Sequence, residues 1–257
     1  MLVLVIGDIV GQPGRKAVYE VLPQMRQQYR LDMVIANAEN AAGGFGLTTA
    51  IAREFIEAGV HVLTSGNHIW AQKDIIPNLD GEMLILRPLN YPPGVPGRGY
   101  LITGQTMVVN LMGRTFMNDI DCPFRAMDAL LDEVKDRPPV VIVDFHAEAT
   151  SEKMAMGRYL DGRVSAVLGT HTHVGTIDAQ ILPHGTAYVT DIGMTGPTDS
   201  IIGDDVDSVI KRFLTGMPHH LSVGKGKPIF NAILVDVDEG SGQAVSIERI
   251  CRQLDKP

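Results

Sequence analysis

Apolar and polar positions alternate in blocks along the first two thirds of the chain. Five largely apolar runs cover residues 2–6, 33–36, 60–63, 140–143 and 164–168. Runs of this length without polar alternation are typical of strands buried on both faces. Between them lie segments with helical periodicity, at residues 15–29, 50–58, 124–134 and 151–160. This alternation of strands and helices predicts an α/β protein built on open sheets.

The remaining segments add antiparallel strands and loops. Residues 100–110 predict a β-hairpin that turns at Gly104 and Gln105, and residues 229–237 and 244–251 predict a final antiparallel pair. A further helix is expected at residues 204–214. We expect loops at residues 87–99, 111–123, 191–200 and 217–227, where glycine, proline and polar residues are frequent. No repeat or linker interrupts the pattern, so we expect a single domain over residues 1–257.

Each of the five apolar runs is followed by side chains that can bind a metal ion. These residues are Asp8, Glu39, Asn40, Asn67, His68, His146, His171 and His173. Binding sites in open α/β sheets form outside the carboxyl ends of the strands, so we expect all eight on one rim. His171 and His173 lie two residues apart, which points both imidazoles the same way on an extended chain. That pair alone is equally consistent with two solvated loop histidines, so the metal-site interpretation depends on the whole set.

Composition narrows the class of protein. The chain has 257 residues, 45% of them hydrophobic, which suffices for one sizeable core. A net charge of -8 argues against a long nucleic-acid footprint, which needs a basic face. The apolar N-terminal run is too short for a signal peptide or a membrane span. Two cysteines form no disulfide framework, so we expect a cytoplasmic protein whose metal is held by nitrogen and oxygen.

A glycine-rich turn follows the first predicted strand, where a dinucleotide-binding fingerprint would lie. Its spacing, Gly7, Gly11 and Gly14, is not that of G-x-G-x-x-G. Asp8 would also place a carboxylate where an anionic pyrophosphate should bind. A nicotinamide- or flavin-dependent oxidoreductase is therefore the weaker alternative. Arg15 could face a substrate phosphate, although a solvated helix arginine is the simpler interpretation.

The number of candidate ligands exceeds what one ion can use. One aspartate, one glutamate, two asparagines and four histidines are more than the four to six positions around a single metal. Two ions that share a carboxylate could use them. Enzymes that catalyse phosphoryl displacement commonly use two metal ions, because the ions activate an oxygen nucleophile and neutralise the negative charge of the phosphate. Imidazole, carboxylate and amide ligands suit iron, manganese or zinc better than calcium.

Three motifs together resemble a known superfamily. Gly66-Asn67-His68, then the lone His146, then His171-Thr172-His173 are similar to the metallophosphoesterases. The YmdB-like branch of that superfamily is the most similar, and the agreement extends over nearly the whole chain. The resemblance implies a four-layer α/β/β/α sandwich of two mixed β-sheets flanked by helices. It also implies a two-metal phosphodiesterase acting on cyclic nucleotides, 2′,3′-cyclic or 3′,5′-cyclic.

The resemblance further implies a role for each candidate residue. Asp8, Glu39, Asn40 and His173 would hold the first metal, with Glu39 bridging, and Asn67, His146 and His171 would complete the second. A hydroxide between the ions would attack phosphorus, while His68 would protonate the departing alkoxide. Iron is the first choice of metal, with manganese or zinc as alternatives.

The chain departs from the wider superfamily at its first motif. That motif is usually Asp-x-His, whereas here Ile9 and Val10 follow Asp8. A glutamate, Glu39, also occupies the usual aspartate position, and Asn40 would replace the missing imidazole.

Alternative functions remain open. The protein could act on short RNA, it could be a phosphomonoesterase, or it could be a regulatory protein that binds a nucleotide or a partner. We expect the protein to bind a small-molecule phosphodiester and not to associate with a membrane. The sequence leaves open whether the chain forms homo-oligomers. The roles of Asn90, Arg114 and Cys122 stay undetermined.

Overall fold

The computed structural model describes residues 1–255. Its strands are β1 (Leu2–Ile6), β2 (Met33–Asn37), β3 (Val62–Thr64), β4 (Tyr100–Thr103), β5 (Thr106–Met112), β6 (Val140–His146), β7 (Ala166–Thr170), β8 (Gln180–Ile181), β9 (Ala187–Val189), β10 (Gly196–Asp204), β11 (Val223–Val237) and β12 (Ala244–Gln253). Its α-helices are α1 (Gly11–Gln28), α2 (Thr49–Glu57), α3 (Pro123–Glu133), α4 (Thr150–Leu160) and α5 (Val206–Thr215). The predicted apolar strands, the hairpin at Gly104 and the final antiparallel pair are confirmed.

The strands form two mixed sheets of six. The first has the order β10-β11-β1-β2-β3, with β12 also paired to β11, and the second has the order β4-β5-β6-β7-β9-β8. Strands β1, β2 and β3 are parallel to one another, as are β5, β6, β7 and β9. Because the carboxyl ends of parallel strands meet at one edge, the residues that follow them are brought together.

Side chains along each strand point alternately to the two faces of its sheet, and this produces three apolar layers. Val3 and Val5 of β1 face the second sheet, where they share a core with Ile142 of β6. The intervening Leu4 and Ile6 pack beneath α1 and α2. On the far side, the second sheet packs against α3 and α4. The predicted four-layer α/β/β/α sandwich is confirmed.

The loops predicted at residues 191–200 and 217–227 are wrong in their later parts. Residues 196–204 form β10, and residues 223–227 begin β11, with which β10 pairs in antiparallel fashion. These segments lack strand-like alternation because they lie toward the edge of the sheet and are irregular, with two register shifts in their pairing. Tertiary pairing, including Asp199 opposite Lys225, therefore overrides weak local propensity.

Among residues 1–255, no helix has both the length and the hydropathy needed to cross a membrane.

Candidate metal centre

The eight candidate residues lie together at the carboxyl ends of the parallel strands. Each of them has an atom within 3.2 Å of another member of the set. Asp8 follows β1, Glu39 and Asn40 follow β2, and Asn67 and His68 follow β3. His146 ends β6, while His171 and His173 follow β7. Both sheets therefore contribute to one cluster, which we call the ligand cluster.

His146 is the centre of one half of this cluster. Its Nε2 atom lies 3.0 Å from Asn67 Oδ1, 3.0 Å from His171 Nδ1 and 3.1 Å from Glu39 Oε1. Ligand atoms of Glu39, His146 and His171 all lie within 4.8 Å of one another, close enough to hold one ion. The opposite ring nitrogen, Nδ1, lies 3.0 Å from Thr170 Oγ1, which orients the imidazole.

Asp8, Asn40 and His173 form the other half. His173 Nε2 lies 3.2 Å from Asn40 Nδ2 and 3.8 Å from Asp8 Oδ1. Glu39 Oε1 lies 3.3 Å from Asn40 Nδ2 and also contacts His146, so this carboxylate joins the two halves. The cluster therefore has two connected groups of donors around a common glutamate.

A buried oxygen without a partner tests whether these residues fit a metal ion. Asp8 is fully buried, and its Oδ1 atom accepts no hydrogen bond from any residue in the range 1–255. An unsatisfied buried polar atom costs about 1–3 kcal/mol, and more when charged, so it requires a partner. The surrounding donors are imidazole nitrogens and carboxylate and amide oxygens, which suit a transition metal or zinc. The residues present fit a bound cation.

The shifted pKa values of the cluster also indicate that its residues fit a bound cation. Although burial opposes the charged imidazole, the Glu39 carboxylate raises the pKa of His146 to about 9. Burial acts to raise the pKa of Glu39, but His146 lowers it well below its usual range. Burial raises the pKa of Asp8, and burial together with the charge of His146 lowers the pKa of His171 to about 3. A proton on His146 thus balances carboxylate charge where a metal ion would otherwise do so.

Backbone geometry at the cluster is unusual. His171 and His173 have φ values of 98° and 66°, in the left-handed region that favours glycine. Such conformations persist where surrounding structure enforces them, and they are frequent at functional sites. Gly66 is equally constrained, because a Cβ atom there would lie 2.3 Å from His146 Nε2 and 2.5 Å from Glu39 Oε2. The glycine before Asn67 therefore leaves room for the ligand cluster.

Asp191 and Lys153 fix the loop that carries the two histidines. Lys153 Nζ donates to Asp191 Oδ2 at 2.6 Å and to the Thr170 carbonyl at 2.6 Å, and both charged groups are fully buried. The backbone N–H and the hydroxyl of Thr172 donate to Asp191 Oδ2 at 3.1 and 2.8 Å. Asp191 therefore holds Thr172, the residue between the two histidines.

Sequence reasoning missed the buried support behind the cluster. Asp144 accepts hydrogen bonds from Thr170 Oγ1 at 2.6 Å, from Asn37 Nδ2 at 3.1 Å and from the Thr64 hydroxyl. Asn37 Oδ1 in turn accepts from the Glu39 N–H at 3.2 Å. Burial raises the pKa of Asp144 to about 6. The available signal was spacing, since Asp144 and His146 lie two apart on β6 and therefore share a face.

His68 lies on the wall of a cavity beside the cluster. Its Nδ1 atom lies 2.6 Å from Asn40 Oδ1, and its ring centroid is 4.1 Å from that of Phe45. Burial lowers the pKa of His68. The cavity has a volume of about 460 Å³, within the usual range for small-molecule sites. Phe45 was also missed by the sequence reasoning, although the glycines on both sides of it mark an unusual loop.

The other candidates lie outside the ligand cluster. Arg15 Nη1 donates to the Ala41 carbonyl at 2.6 Å, so it holds the loop after β2. The Asn90 side chain bonds to both the N–H and the carbonyl of Met112. Arg114 and Cys122 line a different cavity.

Comparisons with known proteins agree over almost the full length. Residues 4–250 match the family described as YmdB-like protein. A Bacillus subtilis (strain 168) protein named 2′,3′-cyclic-nucleotide 2′-phosphodiesterase is 47% identical over 254 residues, which cover 97% of this chain and 96% of that protein. A hypothetical protein from Thermus thermophilus has a crystal structure with a TM-score of 0.93, 49% identity and full coverage of both chains. A structure titled as a novel phosphatase from Mycoplasma pneumoniae has a TM-score of 0.93 and 34% identity, and the match covers 100% of this chain and 95% of that one.

These findings identify the class of protein. The four-layer fold, the cluster that fits a metal ion and the relatives define an enzyme of the metallophosphoesterase superfamily, a hydrolase of phosphoric esters. Within that superfamily, the chain belongs to the YmdB-like family.

Proposed function

We propose that this protein is a two-metal phosphodiesterase that hydrolyses 2′,3′-cyclic nucleotides, with 3′,5′-cyclic nucleotides as weaker substrates. The observation that carries the proposal is the position of the ligand cluster beside a cavity that can hold a small phosphodiester, with Asp8, Glu39, Asn40 and His146 buried. The 47% identical Bacillus relative, named for this substrate, supports the proposal. The net charge of -8 favours a small substrate over long RNA.

Two groups of residues would hold the metal ions. Asp8, Glu39, Asn40 and His173 would hold one ion, and Glu39, Asn67, His146 and His171 the other, with iron preferred and manganese or zinc as alternatives. Bound ions would neutralise charge on the phosphate and make water nucleophilic at neutral pH. The joining position of Glu39 between the two halves supports a shared ligand.

The role proposed for His68 is that of a general acid. Opening a cyclic phosphate releases a sugar alkoxide, a poor leaving group that requires a proton. The contact between His68 Nδ1 and Asn40 Oδ1 fixes the ring orientation and leaves Nε2 without a hydrogen bond to any residue among 1–255. Lowering of its pKa by burial makes a protonated His68 a stronger acid. Phe45 packs against the ring and shields it from solvent on one side.

A substrate panel tests the proposed function. Metal-loaded protein should hydrolyse 2′,3′-cyclic AMP with a kcat/KM at least about tenfold higher than that for 3′,5′-cyclic AMP, AMP or a short RNA. Phosphorus NMR would identify the single monophosphate product. A Glu39→Gln preparation, purified identically, controls for contaminating nucleases. Tight nucleotide binding without turnover of any phosphodiester would contradict the proposal and favour the regulatory alternative, while a preference for RNA would favour a nuclease.

Metal affinity should increase with pH. His146, whose pKa is raised to about 9 in the metal-free protein, is protonated at pH 7 and must lose that proton to bind a metal. Affinity should therefore rise by up to about tenfold per pH unit between pH 7 and 9, and it should level off above pH 9. Calorimetric titration with Mn²⁺ in buffers of different ionisation enthalpy would measure the released proton. Equal affinity at pH 7 and pH 9 would exclude His146 as a ligand.

A further inference from the structure

The cavity beside the ligand cluster extends beyond the space that a phosphate needs. Another part of its wall comes from the end of β10, from α5 and from the segment that follows α5, and it adjoins the ligand cluster, where His173 Nδ1 lies 2.6 Å from the Ile202 carbonyl oxygen. The residues in this part of the wall are Ile201, Ile202, Asp204, Val209, Arg212, Phe213 and Leu221. Phe45 faces the same cavity from the loop after β2. The wall is mostly apolar, with one carboxylate and one guanidinium, and neither of these charged groups has a part in the proposed metal binding or in the proposed role of His68.

We propose that this part of the cavity is a nucleoside subsite that favours guanine, with Phe45 as the stacking surface and Asp204 and Arg212 as the groups that recognise the base. The inference rests on the proposed function, because it concerns the nucleotide whose phosphate would lie at the ligand cluster. It adds a preference among bases that the reaction itself does not require.

Phe45 is built to present an aromatic face. One side of its ring packs on His68, and 51% of the residue is exposed. Gly44 and Gly46 flank it with φ values of 93° and 79°, conformations that other residues rarely adopt. Gln72 Nε2 donates to the Phe45 carbonyl at 2.8 Å and fixes the loop. A fixed, half-exposed aromatic ring beside a phosphate site is a stacking surface for a base.

Asp204 and Arg212 are charged groups in this cavity whose side chains form no hydrogen bond or ion pair with residues 1–255, although Asp204 lies near enough to His173 and His68 to interact with them electrostatically. Asp204 is half-buried, and its carboxylate accepts no hydrogen bond and forms no ion pair with the residues in the range 1–255. The Arg212 guanidinium likewise has no such partner within that range, although it is close enough to Asp204 to interact with it electrostatically. Asp205, the next residue, caps α5 through its contact with the Ser208 N–H at 3.0 Å, so the backbone here is held in place. A half-buried carboxylate in apolar surroundings calls for N–H or O–H donors from a ligand.

The chemistry of the bases selects among the possible ligands. Guanine presents two adjacent donors, N1–H and the N2 amino group, which a carboxylate can accept together, and beside them the O6 acceptor. Adenine and cytosine each offer a single amino group to a carboxylate, and uracil offers a single N–H. Asp204 can thus pair with two guanine donors while Arg212 donates to O6. Guanine satisfies both charged groups more fully than the other bases do.

The test compares kcat/KM for the four nucleoside 2′,3′-cyclic phosphates with that for bis(p-nitrophenyl) phosphate, which has no base. We expect wild-type protein to prefer the guanosine substrate over the uridine substrate by at least about tenfold. Asp204→Asn should lower the ratio of guanosine-substrate to bis(p-nitrophenyl) phosphate activity by about tenfold, because an amide has only one oxygen and cannot accept both N–H groups as a carboxylate does. Phe45→Ala should lower that ratio for all four nucleotides. Asp207→Asn is the matched control, since it removes the same charge from an exposed position outside the cavity.

The outcomes separate this inference from the proposed function. Hydrolysis of all four nucleotides at similar rates, with equal ratios for Asp204→Asn and Asp207→Asn, would overturn the guanine subsite and leave the proposed function intact. An equal loss for the guanosine substrate and bis(p-nitrophenyl) phosphate in Asp204→Asn would also overturn it, because Asp204 would then act on the phosphoryl reaction. Hydrolysis of bis(p-nitrophenyl) phosphate but of no cyclic nucleotide would overturn the proposed function, and the subsite with it.

Discussion

A Glu39→Gln variant is expected to lose metal and to hydrolyse 2′,3′-cyclic AMP about 10³-fold more slowly than the wild-type protein. Glutamine keeps the shape of the side chain but removes its negative charge. Glu39 Oε1 contacts both Asn40 and His146, and Oε2 accepts the His68 N–H at 3.1 Å. The change therefore removes the negative charge of a carboxylate that contacts both halves of the ligand cluster.

Metal content and turnover should be measured on the same Glu39→Gln preparation. Elemental analysis would count the ions per chain, and steady-state kinetics would give kcat/KM. Glu148→Gln is the matched control, because Glu148 Oε2 lies 3.1 Å from His171 Nε2 but the side chain is 48% exposed. Loss of the outer partner of a metal-binding histidine costs about 10–100-fold, so this control should lose less activity than Glu39→Gln. Full metal occupancy in Glu39→Gln would show that Glu39 does not bridge two ions.

The sequence predicts the architecture well where local pattern and buried position agree. Strands β1, β2, β6 and β7 are apolar along most of their length because both faces are covered, one by the other sheet and one by helices. The chain then turns at the carboxyl end of each strand, where polar residues are exposed to the site rather than to the core. This explains why the eight candidates, although scattered from Asp8 to His173, could be expected on one rim.

What the sequence does not predict depends on contacts between distant segments. Strand β10 exists because β11 lies beside it, so no local pattern indicates it. Asp204 lies at the end of that strand, and its place in the cavity could not be inferred without the pairing. The support that Asp144 gives to Asn37 spans 107 positions of sequence. Such long-range polar contacts leave no periodicity that a single sequence could reveal.

A second large effect is expected at His68. His68→Ala should retain its metal yet lose about 10²–10⁴-fold in kcat for 2′,3′-cyclic AMP, because the sugar alkoxide then departs without a proton. For bis(p-nitrophenyl) phosphate the loss should be much smaller, since p-nitrophenolate is a stable leaving group. His184→Ala is the control, because the His184 side chain is 76% exposed and pairs with Asp161, away from the ligand cluster. Elemental analysis must accompany the kinetics, as loss of metal would make His68 a ligand.

A companion variant, His68→Asn, separates proton transfer from positioning. An asparagine amide can occupy the place of Nδ1 and still donate to Asn40 Oδ1, which His68 contacts at 2.6 Å. Asparagine cannot supply an acidic proton at the position that Nε2 of His68 occupies. If His68 is the general acid, His68→Asn should be as slow as His68→Ala on the cyclic nucleotide and should lose the basic limb of the pH profile. If His68 only positions Asn40, asparagine should restore most of the activity, because the contact that orients the ligand would be preserved.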